Sequence, residues 1–161
     1  MYRIGYSRDI HRLVPNRPLI IGGIAISHDL GFEAHSDGDI VLHAITEALF
    51  GALALGDLGT HFPNDDPQYR DRPSSYFVTY ANNLVKEHGY HICNIDVSIT
   101  LETPKLRPYI ALIVKNIAQL LQLQANQVSV KAGTNEGLGY LGTGKAAEAT
   151  CVVLIEQTAP N

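Results

Sequence analysis

A chain of 161 residues carrying a formal charge of −4 is not a nucleic-acid binder driven by overall charge, although a local basic pocket stays open. At this length one domain, residues 1–161, is expected, with roughly 70% of the unfolded surface removed from water. Hydrophobic residues reach 45%, yet no apolar run could span a bilayer and MYRIGYSRDIH lacks a leader's apolar core, so a cytoplasmic protein is expected.

Arg3, Ile4 and Tyr6 read as a short strand leading into Asp9-Ile10-His11, where extended geometry points Asp9 and His11 to one side. Leu19 to Ile26 is two apolar runs about Gly22-Gly23, a hairpin signal with glycines able to take positive φ. From Asp39 to Phe50 the chain is nearly all apolar and suits a buried helix. Ser36, Asp37 and Asp39 supply capping chemistry there, and His43 falls in the first turns. Gly51 to Arg72, rich in Gly, Pro and Asp, reads as a long loop of the kind that is often functional. Pro73 opens a second helix running to about His88, which Gly89 ends. His91 to Leu101 alternates Ile95, Val97 and Ile99 as a strand. Helical spacing returns from Pro108 to Leu121, and Gln127 to Ala132 is another strand. A glycine-rich connection follows, and Ala146 to Glu156 is the last strand. Cys93 and Cys151 sit in apolar surroundings without C-x-x-C spacing, so both are expected as buried free thiols.

Asp9, His11 and His43 offer one carboxylate and two imidazoles with no thiolate, the donor set of an open catalytic zinc site. The alternative is a turn-capping Asp9 and a satisfied core His43. His35, Ser36 and Asp37 precede a helix start, where unpaired N–H groups suit a phosphate. Capping alone explains Ser36 and Asp37, whereas nothing local requires His35. Asp57 to Asp66 sets carboxylates beside glycines, which suits sugar hydroxyls or simply solvated turns. Lys105 and Arg107, between Pro104 and Pro108, suit a nucleotide or else face water. Thr134 and Glu136 lie in a glycine-rich stretch without P-loop spacing. They suit a phosphate and a second, oxygen-liganded cation, or are only a turn.

Together these segments resemble the 2-C-methyl-D-erythritol 2,4-cyclodiphosphate synthase family of the non-mevalonate isoprenoid pathway. The resemblance runs over nearly the whole chain: R-I-G, D-I-H, I-I-G-G, A-H-S-D-G-D with His43 after it, A-L-G-D-L-G, F-P, P-K, and K-A-x-T-x-E-x-L-G. It implies zinc on Asp9, His11 and His43, and a catalytic role for His35 and Thr134, with Ser36 beside His35 at the substrate. Asp57, Leu58, Gly59 and the run from Phe62 to Asp66 match the methylerythritol phosphate pocket. Leu101, Pro104, Lys105, Leu106 and Arg107, with Ala132 and Gly133, match the cytidine pocket. Glu136 matches the ligand of a second divalent ion, Mg²⁺ or Mn²⁺, and Tyr140 falls among the substrate-binding positions, as do Asp9, His11, Thr134 and Glu136.

The implied enzyme is a phosphorus–oxygen lyase acting on a small cytidine diphosphate substrate, without nucleic acid or membrane. The 2-phosphate of 4-diphosphocytidyl-2-C-methyl-D-erythritol 2-phosphate attacks the β-phosphorus, and CMP leaves. The implied fold is α+β, a mixed β-sheet with helices packed on one face and the sheets of three subunits facing the axis of a homotrimer. Three positions depart from the family pattern: Ser7 for glycine, Gly137 for lysine and Thr143 for arginine. A zinc phosphoesterase and a non-catalytic nucleotide-binding trimer fit the same residue inventory.

Overall fold

A computed structural model describes residues 1–34, 36–63, 66–69 and 72–159. Strand β1 (Tyr2–Pro15) forms much of the sheet, followed by β2 (Leu19–Ile21), β3 (Ile24–Ile26) and β4 (Leu30–Phe32). Helices α1 (Ile40–Leu53), α2 (Leu58–His61) and α3 (Ser74–Glu87) come next, then β5 (Tyr90–Thr100) and α4 (Ile110–Leu121). Strand β6 (Val128–Gly133), the short α5 (Gly139–Gly142) and β7 (Ala146–Gln157) complete the order. The main sheet runs β4-β1-β7-β5-β6, and β2 with β3 forms a separate ribbon. Only β5 and β6 pair in parallel, with α4 as their crossover; the other neighbours are antiparallel. The sheet is therefore mixed, as expected.

Helix α1 is buried nearly all round. Ile40, Val41, Ala44, Ile45, Ala48, Leu49 and Phe50 are all fully buried, which is why its sequence is apolar on every face rather than striped. It lies across β1 and β7, with α3 packed on it and α4 against β6. Gly5 on β1 makes the close approach possible, because a Cβ there would sit 1.8 Å from the Ala48 carbonyl oxygen. The opposite sheet face exposes Tyr2, Ile4, Tyr6 and Val152. Helices α1, α3 and α4 thus lie on one face, in agreement with the α+β expectation.

The predicted hairpin is present, with Gly22 at φ 59° and Gly23 at φ 77° in its turn. Asp39 fastens it to α1. One carboxylate oxygen caps the helix through the N–H groups of Val41 and Leu42 and also accepts from Gly22, while the other accepts from Gly23. Burial pushes the Asp39 carboxyl up to about 6, although the donors from Gly23, Leu42 and Gly22 pull it down.

Several elements differ from the sequence reading. β1 is one strand of 14 residues rather than a short one, because it pairs with β7 as far as Arg12 and with β4 beyond it. Three-residue β4 carries no periodic signal and was not expected. The segment read as a loop from Gly51 to Arg72 contains the end of α1, the short α2 and a 3-10 turn at Pro67–Tyr69. Helix α1 stops only where Ala54 turns left-handed at φ 59°. Cys151 is buried, but Cys93 is only partly so and lies beside Glu156, which corrects the expectation of two buried thiols. No helix among the described residues is long and apolar enough to cross a membrane.

Candidate active site

Strand parity brings Asp9 and His11 to the α1 side of β1, and His43 meets them from the first turn of α1. His11 Nε2 and His43 Nδ1 each lie 3.2 Å from the same Asp9 oxygen, Oδ2. The three side chains keep 13–23% of their surface exposed, so the group is sheltered yet reachable.

The surrounding hydrogen bonds set the imidazole tautomers. His11 Nδ1 donates to the Glu33 carbonyl oxygen at 3.2 Å, which leaves Nε2 as the lone-pair nitrogen of the neutral ring. On His43 the order is reversed. The Ser74 hydroxyl gives its proton to Asp37 and accepts from His43 Nε2 at 2.8 Å, so Nδ1 carries the lone pair. Two imidazole lone pairs therefore converge on a carboxylate oxygen. That arrangement repels itself unless a cation, proton or metal, lies between the donors. Zinc bond lengths at tetrahedral angles put nitrogen and oxygen donors about 3.3 Å apart, close to the observed separations. The donor set fits a divalent metal.

The electrostatics agree. When protons rather than a metal fill the gap, burial raises the Asp9 carboxyl, but the hydrogen bonds and charge of His11 and His43 outweigh it and hold the group well below the usual carboxylate range. Burial lowers the His11 imidazole, and the Asp9 hydrogen bond and charge more than reverse this, leaving it raised.

A second concavity, of about 390 Å³, opens at the β5–β6 edge. One wall is Leu101, Pro104, Lys105, Leu106 and Arg107, and the other is Ala132, Gly133 and Thr134. These are the positions the resemblance assigns to cytidine, together with Thr134. Ile110, which sequence reasoning missed, also lines it. Apolar leucine and isoleucine walls beside Lys105 and Arg107 suit a flat heterocycle attached to an anion.

Thr134 donates to a Glu136 carboxylate oxygen at 3.0 Å. The Glu102 carboxylate accepts the Asn135 N–H at 2.7 Å and fixes the loop behind them. A single exposed carboxylate is enough for a hard cation that takes its other ligands from water and phosphate. Asp57 caps α2 by accepting from the Thr60 N–H and hydroxyl, while the Leu58 N–H leans on Glu47 and Gly59 lies within α2. The Phe62 ring is buried among Phe77, Tyr80 and Tyr69, so only its backbone could face a ligand. Asp66 accepts from Gln68. The Tyr140 hydroxyl is bonded to Arg8, which also pairs with Glu148 on the face opposite α1. Ser36 Oγ is 3.5 Å from His43 Nε2. His35 and Asp65 lie outside the described residues.

Within one chain the triad and the cleft stay apart. Asp9 pairs with Ala149, Ala149 with Ile99, and Ile99 with Ala132. Three strand steps of about 4.8 Å make roughly 14 Å. Sequence reasoning missed Ser74 and took Asp37 for a structural residue. Their hydroxyl–carboxylate relay, 37 residues apart in sequence, leaves no local trace.

The YgbB family model matches residues 2–156. Over 155 residues the chain is 47% identical to the 2-C-methyl-D-erythritol 2,4-cyclodiphosphate synthase of Prosthecochloris aestuarii, covering 96% of this chain and 99% of that protein. The fold superposes on the CDP complex of IspF from Plasmodium falciparum with a TM-score of 0.88 and 34% identity, over 98% of this chain and 97% of that one. It also superposes on the bifunctional IspDF of Campylobacter jejuni with a TM-score of 0.93 and 33% identity. There, 98% of this chain spans 42% of the longer one.

Proposed function

The chain belongs to the YgbB family of 2-C-methyl-D-erythritol 2,4-cyclodiphosphate synthases, and from that premise we propose that it is itself such a cyclase. It converts 4-diphosphocytidyl-2-C-methyl-D-erythritol 2-phosphate to the 2,4-cyclodiphosphate. An oxygen of the 2-phosphate bonds to the β-phosphorus, the bond from that phosphorus to the CMP oxygen breaks, and CMP departs. This is a phosphorus–oxygen lyase reaction of isoprenoid precursor synthesis, carried by one domain.

The nucleophile is already an anion at neutral pH, so the reaction needs no activated serine or cysteine. It needs positioning and neutralisation of charge. Asp9, His11 and His43 would hold zinc, and Glu136 would hold a second ion, Mg²⁺ or Mn²⁺. When bound, such ions act as Lewis acids and templates for phosphoryl oxygens. Thr134 acts on the phosphates, the family resemblance assigns His35 the same role, and Ser36 also meets the substrate. Lys105 and Arg107 offset the charge that gathers on departing CMP. Leu101, Leu106 and Ile110 hold the base, and backbone groups at Ala132 and Gly133 read its edge. Asp57, Leu58 and Gly59 take the methylerythritol portion.

The working unit is a homotrimer with sites between subunits. Two observations support this. The triad and the cleft lie about three strand steps apart in one chain, and Tyr2, Ile4, Tyr6 and Val152 expose an apolar sheet face that assembly would cover.

The observation that carries the function is the convergence of two imidazole lone pairs on Asp9 in a chain that also has a cleft suited to a nucleotide. Turnover of the authentic substrate in H₂¹⁸O tests it. A cyclase puts no solvent oxygen into CMP or the cyclic product. Labelled product would establish a zinc phosphoesterase, and CDP binding without CMP release would establish a non-catalytic binder. Either result overturns the proposal.

A further inference from the structure

At the far end of the sheet from the triad, His91 and Cys93 on β5 meet Glu156 on β7. His91 Nε2 lies 3.5 Å and Cys93 Sγ 4.0 Å from the same oxygen, Glu156 Oε2. The three donor atoms fall within 4.8 Å of one another. Zinc–ligand lengths at tetrahedral angles require nitrogen–oxygen and sulfur–oxygen separations of about 3.3 to 3.6 Å. Small side-chain rotations close the difference.

Cys93 is aimed by the backbone. The β5–β7 register slips between Ile92 and Asn94, so Cys93 is the extra residue of a bulge, a device that re-aims a side chain. The carboxamide of Gln127 fixes the bulge by donating to the carbonyl oxygens of Ile92 at 3.3 Å and Cys93 at 2.9 Å. His91 and Glu156 are direct cross-strand partners. Glu156 pairs with Tyr2 and shares the sheet face opposite α1, whereas Asp9 and His11 face α1. Along β7, Glu156 lies seven residues from Ala149, the partner of Asp9, or about 23 Å at strand rise.

We propose that His91, Cys93 and Glu156 form a further metal site, apart from the triad and from Glu136, on the opposite face of the sheet, selective for a borderline divalent ion of the zinc class. Thiolate, imidazole and carboxylate together suit zinc, cobalt or nickel and disfavour magnesium or calcium. A fourth position stays open to water. Binding releases the thiol proton and ties β5 to β7 close to the end of the sheet.

Cobalt separates this site from the triad, because only a thiolate ligand gives an intense near-ultraviolet charge-transfer band. Metal-free full-length protein is titrated with Co²⁺ under a non-thiol reductant. The band is expected to saturate at one thiolate-bound equivalent per chain, counted beyond what the triad takes up, to vanish in Cys93→Ser and to persist in His43→Ala. His91→Ala, half-exposed in one chain and checked by light scattering for an intact oligomer, is expected to weaken the binding that produces the band at least roughly tenfold. Absence of the band in the wild-type protein overturns the proposal. So does its persistence in Cys93→Ser, which would move it to Cys151, or unchanged affinity in His91→Ala.

Discussion

Replacing Ser74 with alanine removes one hydroxyl that touches no proposed metal ion, yet metal affinity is expected to fall. The hydroxyl accepts from His43 Nε2 at 2.8 Å and donates to Asp37. It is fully buried at the start of α3. Without it, the other hydrogen bond of His43 Nε2, to Ser36 Oγ, is 3.5 Å long, too long to be a good one. The ring then has nothing to hold the tautomer that presents Nδ1 to Asp9. Leaving a sheltered N–H without a partner costs about 1–3 kcal/mol, and outer-shell losses of this kind weaken metal binding roughly 10–100-fold. The two ranges agree, since tenfold is about 1.4 kcal/mol. Competition against a chromophoric zinc chelator measures the change, and thermal unfolding of the metal-free variant reports any separate loss of stability. Ser74→Thr, which keeps the hydroxyl, is expected to retain most of the affinity. Zinc affinity in Ser74→Ala within about twofold of wild type would refute the relay.

His43→Ala is expected to remove tightly bound zinc and abolish CMP release while the oligomer persists; metal analysis, product assay and light scattering on one preparation check all three. Gly5→Ala would drive a methyl group into the Ala48 carbonyl, whose oxygen would lie 1.8 Å away. Denaturant unfolding is expected to show a loss of about 3 kcal/mol or more, and a loss under about 1 kcal/mol would contradict the packing of α1 on β1. Metal affinity is expected to fall with pH in a defined direction. The folded-state pKa of His11 is raised, because the Asp9 hydrogen bond and charge exceed the lowering by burial. A proton therefore begins to compete for its Nε2 at a pH above the ordinary imidazole range. Asp9 is held low and stays ionised throughout. Affinity should drop by up to about tenfold per pH unit below that point, and a flat profile between pH 8 and 5 in zinc competition would contradict the assignment.

The parts of the site that were legible in sequence share a periodicity. Asp9 and His11 are two apart on a strand, so parity alone put them on one side. His43 was legible because Asp39 announces a helix start four residues earlier. The positions assigned to cytidine came from the resemblance and not from periodicity, since Lys105 and Arg107 by themselves fit a solvated loop equally well; the structure gathers them in one cleft. What could not be read depends on contacts distant along the chain. Ser74 reaches His43 only because α3 packs on α1. The Glu33 carbonyl reaches His11 only because β4 joins the sheet edge, and β4 is too short to show alternation. Cys93 misled because Ile92 and Ile95 beside it are apolar and buried, while a bulge turns the thiol outward.

Asp39 gathers the amides of Gly22, Gly23, Val41 and Leu42 onto one carboxylate, two from the hairpin turn and two from the helix. Those amides cannot be released one at a time without stranding a buried charge. Hydrogen–deuterium exchange should therefore report them as a single cooperative opening unit, with a shared opening free energy. His43 lies one turn further along, its own N–H bonded to the Asp39 carbonyl, so an ion held by its ring is linked to the same event. Loading the metal should slow exchange at Gly22 and Gly23, although no atom of that hairpin lies among the proposed ligands.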